Sequence, residues 1–162
     1  MHQEMKKTIR AINKMVSDGV IGGYAVGGAI AAQFYMEPFL THDLDVFVLL
    51  PDDKRITAVL PLFDYLRKKG HTKFDKEAIV LEGVPVQFIP VHDALTLEAY
   101  RAASLKKYDG VPVRVFRPEY LMAIMLKLGR PKDKQRFSVM FETARFDKVK
   151  FGKILKKFGL TK

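Results

Sequence analysis

Residues 41–50 read THDLDVFVLL, and the fold turns on this stretch. From Val46 to Leu50 every position is apolar, the pattern of a strand covered on both faces and therefore interior to a sheet. Side chains alternate along a strand, so Asp45, Phe47 and Leu49 share one face while Val46, Val48 and Leu50 take the other. Asp43 and Asp45 project to the same side, about 6.6 Å apart along the chain. Two unpaired carboxylates at the mouth of an interior strand repel each other and lose hydration. A hard divalent cation held through oxygen relieves both costs. Magnesium suits a site of one or two carboxylates completed by water and substrate phosphates. Taken alone, D-x-D also fits an exposed strand start after Thr41-His42, so the segment before it decides.

That segment is GGYAVGGAIAAQ, residues 22–33. It predicts a short strand, a glycine pair and a helix of small residues. Gly27-Gly28 lets a phosphate approach the backbone, and the helix that follows aims free N–H groups at an anion. A P-loop is excluded, because no G-x-x-x-x-G-K-[ST] lysine follows. A dinucleotide fold is disfavoured too. G-x-G-x-x-G is absent, and the acids open their strand as a pair instead of closing it singly.

Outward from these two segments the chain alternates. MHQEMKKTIRAINKMV predicts an amphipathic helix over 2–17, with Met5, Ile9, Ile12, Met15 and Val16 as its stripe. Pro38 is expected to stop the second helix. Pro51-Asp52-Asp53 opens a third helix through about Lys69, with Val59, Leu60, Phe63 and Leu66 inward. KEAIVLEG and VPVQFIPV read as a hairpin about Gly83. Asp93 caps a helix from Ala94 to about Ser104. VPVRVF is a strand introduced by Asp109-Gly110, and PEYLMAIMLKLG is a helix with Pro at its start and Gly at its end. Its expected inward stripe is Leu121, Ile124, Met125 and Leu128, with Ala123, Lys127 and Arg130 on the other side. Two further helices follow, over 131–144 and 147–158. The order α-β-α-β-α-β-β-α-β-α-α-α implies an α/β (α+β) sheet core with a C-terminal helical packet. One domain over 1–162 is expected, with its core at about 20–117 and the helices at about 117–160.

Composition limits the function. The 162 residues carry no cysteine, which removes disulfides, thiolate zinc sites and a Cys nucleophile. The four histidines have no paired metal-ligand spacing. No apolar run approaches the length of a membrane span, and the N-terminus lacks the apolar block of a signal peptide, so a cytoplasmic protein is expected. The formal net charge is +10. Lysines 148, 150, 153, 156 and 157 crowd the C-terminal helix, while Asp43, Asp45, Asp52 and Asp53 crowd one stretch. A basic body around an acidic spot suits a polyanion that approaches bound cations; a solvated lysine-rich surface is the plainer alternative. Phe151 and Phe158 fit the inward stripe of their helix, so no base-stacking platform accompanies those lysines.

A glycine pair followed by T-x-D-x-D on the next strand resembles the DNA polymerase beta-like nucleotidyltransferase superfamily. The likeness is to its small bacterial and archaeal branch related to abortive-infection, toxin-type enzymes. The matching residues are Gly27, Gly28, Thr41, Asp43 and Asp45, then Lys127, Gly129, Arg130, Lys132 and Asp133 in K-x-G-R-x-K-D, over about residues 20–142. The resemblance implies a nucleotidyltransferase-like mixed sheet flanked by helices. It implies Asp43 and Asp45 as ligands of Mg2+ (Mn2+ as the alternative), and Gly27-Gly28 as the phosphate loop. Thr41, Lys127, Arg130, Lys132 and Asp133 would be nucleotide contacts. The implied reaction transfers an NMP group from an NTP to a hydroxyl of RNA, tRNA included, or of protein, with a partner protein if the toxin–antitoxin likeness extends so far. One position departs from the pattern. The later strand that carries a third carboxylate in such enzymes has Gln87 there, and an amide cannot take a proton. Glu82 and Asp93 are nearby, one at an expected turn and one at a cap. A fold that binds nucleotide or nucleic acid without turnover is therefore the alternative function.

Overall fold

The computed structural model describes residues 2–37, 41, 43–51 and 59–160; the expected helix stop at Pro38, His42 and the expected helix opening at Asp52-Asp53 lie outside them. Seven helices are described: α1 His2–Ser17, α2 Gly28–Ala32, α3 Leu60–Lys68, α4 Ala94–Arg101, α5 Pro118–Leu128, α6 Pro131–Thr143 and α7 Lys148–Lys157. The strands are β1 Gly23–Gly27, β2 Leu44–Leu49, β3 Phe74–Asp75, β4 Ala78–Leu81, β5 Val84–Pro90, β6 Ser104–Tyr108 and β7 Val111–Val115. They form one mixed sheet in the order β3-β4-β5-β2-β1-β7-β6.

The apolar run at 46–50 gains its central place from this order. β2 is antiparallel to β1 and parallel to β5, and Val46 and Val48 are wholly buried. The face that carries Val46 and Val48 also carries Tyr24, paired with Val48. The Tyr24 hydroxyl donates to Asn13 Oδ1 on α1 at 2.7 Å, so α1 covers this face. The expected stripe of α1 does the covering: Met5, Ile9, Ile12 and Met15 are buried. Thr8 ties α1 to the sheet by donating to the Leu81 carbonyl at 2.8 Å.

The opposite face carries Ala25, Gly27, Asp45 and Phe47. Phe47 packs against Phe116, with ring centroids 4.8 Å apart and the rings tilted by 47°, just before α5 begins. A β-carbon on Gly23 would sit 3.0 Å from Tyr100 Cζ, so α4 packs against β1 here as closely as glycine permits. α5 is stabilised at its end by Gly129, whose φ of +63° is the left-handed cap favoured by glycine. Beyond it, α6 and α7 meet through a cluster of Phe137, Phe141, Phe146 and Phe151, with centroids 5.5–6.3 Å apart. No described helix is long and apolar enough to cross a membrane.

Four expectations need correction. Leu60, expected inward on α3, is 54% exposed, and Leu62 is buried in its place. The helix expected to run to Ser104 ends at Arg101, and residues 104–108 form β6, paired with β7 through a turn at Asp109 and Gly110 with φ of +48° and +82°. β3 was not expected; its two exposed residues lengthen the β4–β5 hairpin into a meander. α5 has no polar side over its first two turns. Residues 118–125, Ala123 included, are all buried, whereas Leu128 is 53% exposed instead of inward.

Candidate functional site

The sheet register gathers the site. Gly27 pairs with Asp45, and Asp45 pairs with Gln87, so these three residues form one row across β1, β2 and β5 on the same face. At the end of β1 the chain turns through Gly28, at φ +60°. A β-carbon there would lie 3.0 Å from Asp45 Cγ and nearer still to Oδ2. The Asp45 carboxylate thus lies over the glycine bend. α2 has only five residues, so the glycine's shown role is steric, making room for this carboxylate while turning at positive φ.

Asp45 is half-buried, and its carboxyl is held above the usual range. Burial pushes it up most. Lys132 pulls it down, the like charge of Asp43 pushes it up again, and Arg130 and Arg136 pull it down. The three cations stand within electrostatic reach without outweighing the loss of water. Asp43, exposed, lies one residue before β2, and Thr41 before it is half-buried. Among the described residues no set of three His, Cys, Asp or Glu side chains is placed to hold a metal ion. The donor set is the two carboxylates. That set fits a hard divalent cation whose remaining positions are taken by water and phosphate oxygens.

The residues after α5 divide into two groups. Asp133 is buried and occupied: it accepts from Arg130 Nε at 2.5 Å, Arg130 Nη2 at 3.2 Å and the Arg130 backbone N–H at 3.3 Å. It therefore caps α6 and fixes Arg130. Lys132 and Arg136 follow on one side of α6, four residues apart, with their charge felt at Asp45. Arg136 was not singled out in the sequence, although its spacing from Lys132 was the available signal. Lys127 is placed elsewhere: Nζ donates to Asp93 Oδ2 at 3.2 Å, while Asp93 Oδ1 accepts from Thr96 N–H at 2.7 Å as the cap of α4. Glu82 forms the expected turn with Gly83, at φ +53° and +84°.

A pocket of about 630 Å³ opens between Met36-Glu37 and the α6 residues Gln135, Arg136, Val139 and Thr143. Arg136 belongs both to this pocket and to the surroundings of Asp45. The Gln87 side chain donates from Nε2 to Glu77 Oε2 at 3.4 Å.

In structure the chain is similar to an antigenic nucleotidyltransferase-like protein from Paracoccidioides brasiliensis, at a TM-score of 0.61 and 15% identity over 96% of this chain and 87% of that one. A second similarity is to the Megavirus polyadenylate synthase, with a TM-score of 0.46 and 14% identity over 89% of this chain and 33% of that one. No protein-family model and no curated protein matches the sequence. The fold is nucleotidyltransferase-like, a seven-stranded mixed sheet flanked by helices.

Proposed function

We propose that the chain is a magnesium-dependent nucleotidyltransferase that moves an NMP group from an NTP to a hydroxyl of RNA or protein. One observation carries this reading: the Asp45 carboxylate lies over the Gly28 bend, within electrostatic reach of Lys132, Arg130 and Arg136. A partly desolvated carboxylate beside a like charge is a costly arrangement for stability alone. It is suited to a site whose ligand brings its own cation.

Asp43 and Asp45 would hold the metal, which when bound supplies charge neutralisation for the triphosphate and the developing pyrophosphate. The remaining roles belong to the chain. Gly28 leaves room for the Asp45 carboxylate and Gly27 leaves room for the Phe47 ring, so the glycine bend sets where the aspartate stands. Lys132 and Arg136 add positive charge from α6, and Asp133 keeps Arg130 oriented by its bidentate grip. Nucleotidyl transfer depends on positioning and charge compensation more than on covalent help, and these residues supply both.

A second reading has its own observation. Gln87 occupies the place beside Asp45 in the row, where a carboxylate would take the proton of the attacking hydroxyl. The chain as a nucleotide-binding module without turnover follows if that proton is never accepted. Incubation with each labelled NTP and Mg2+, with and without bulk RNA and protein, tests both readings beside an Asp43→Asn/Asp45→Asn control. Metal-dependent label transfer lost in the control supports the enzyme. Thermal stabilisation by NTP with no label moved supports the module.

A further inference from the structure

Gln87 and Glu77 pose a question that the metal pair does not answer: what receives the hydroxyl hydrogen at a site whose neighbouring side chain is an amide? Glu77 follows Lys76 in the tight β3–β4 turn, where Lys76 adopts φ +58°. From there its carboxylate meets the Gln87 side chain on β5. A carboxylate only accepts, so the end of the amide facing it must be the NH2 group. That contact, exposed and 3.4 Å long, favours this orientation of the amide and leaves its other arm, Oε1, as the acceptor. Gln87 shares its face and its row with Asp45.

Resting on the function proposed above, we infer that Glu77 is a positioning residue: it holds Gln87 so that Oε1 accepts a hydrogen bond from the attacking hydroxyl of the acceptor. The oxygen of that hydroxyl forms a bond to the α-phosphorus, the bond to the pyrophosphate oxygen breaks, and the proton passes to water. Gln87 aims the hydroxyl without taking the proton. The site thus aims the nucleophile with an oriented carbonyl in place of a basic carboxylate. Without Glu77 the amide is free to turn its NH2 toward the hydroxyl, which can then accept but no longer donate there.

The test is steady-state transfer kinetics on Glu77→Ala, Gln87→Glu and the double variant, in the intact chain. Loss of a supporting hydrogen bond of this kind costs about tenfold. Glu77→Ala is expected to lower kcat by that factor with KM for the NTP unchanged, since the role assigned to Glu77 is exerted through Gln87 alone. In the Gln87→Glu background the same change is expected to cost nothing, because a carboxylate accepts in either orientation. Wild-type kcat in Glu77→Ala overturns the inference, as does an equal loss in both backgrounds. If the wild-type chain moves no label, the enzyme reading falls and this inference with it. If the wild-type chain moves label and Glu77 is indifferent, only the inference falls.

Discussion

Gly28→Ala probes the bend where Asp45 sits. At φ +60° an L-residue costs roughly 1–2 kcal/mol more than glycine. About 0.4–1 kcal/mol returns through the stiffer unfolded chain. The new methyl also meets Asp45, with Cγ at 3.0 Å and Cβ at 3.3 Å, so the carboxylate must swing away from its seat. A net loss of roughly 1–2 kcal/mol is expected, a fall in Tm of about 3–6 °C for a chain of this size. The steric share should be absent when Asp45 is already alanine, which gives a double-mutant coupling of about 0.5–1 kcal/mol. Thermal unfolding of the four proteins measures this coupling, and titration with NTP in Mg2+ measures the displaced carboxylate. Two results refute the reasoning. One is a Gly28→Ala chain as stable as wild type with unchanged nucleotide affinity. The other is additivity of the two substitutions.

Other perturbations follow from the same geometry. Asp45→Asn is expected to stabilise the ligand-free chain at neutral pH while removing metal-dependent nucleotide binding. The raised carboxyl of Asp45 costs stability fully above its folded pKa, and that cost fades as pH falls toward the ordinary aspartate range, so the advantage of Asn should shrink in acid; denaturant melts at pH 7 and pH 4 check the sign. Phe47→Ala removes a buried ring packed against Phe116 and should cost about 3–5 kcal/mol in chemical denaturation. Asp93→Ala should cost about 1 kcal/mol through the lost α4 cap, and Lys127→Ala less than about 1 kcal/mol, since its partner pair is exposed. An effect of Lys127→Ala on nucleotide KM would show that Lys127 leaves Asp93 for the ligand.

The parts of the fold that could be read from the sequence were those fixed locally. The apolar run at 46–50, the α1 stripe, the Glu82-Gly83 hairpin and the Gly129 cap each follow from neighbours along the chain. β6 was not legible, because SLKKY offers little apolar signal and its Leu105 is 71% exposed. Its strand character comes from pairing with β7 across the Asp109-Gly110 turn and not from its own side chains. The same division holds at the site. Asp43 and Asp45 stand out because like charges at a strand mouth are costly, and the glycine pair stands out by composition. That Asp45 rests on Gly28, that Gln87 stands beside Asp45, and that the charges of Arg136 and Lys132 reach it depend on register and helix packing. The roles of Asp133 and Lys127 also needed coordinates, since a capping carboxylate and a paired lysine look the same in sequence as ligand contacts.

Isothermal titration of NTP with and without Mg2+, on the wild-type chain and on Asp43→Asn/Asp45→Asn, addresses the cation-and-phosphate grip most directly. Tight binding that needs both the metal and the two aspartates is the expected result. Equal affinity in the absence of metal, or in the doubly substituted chain, would contradict it.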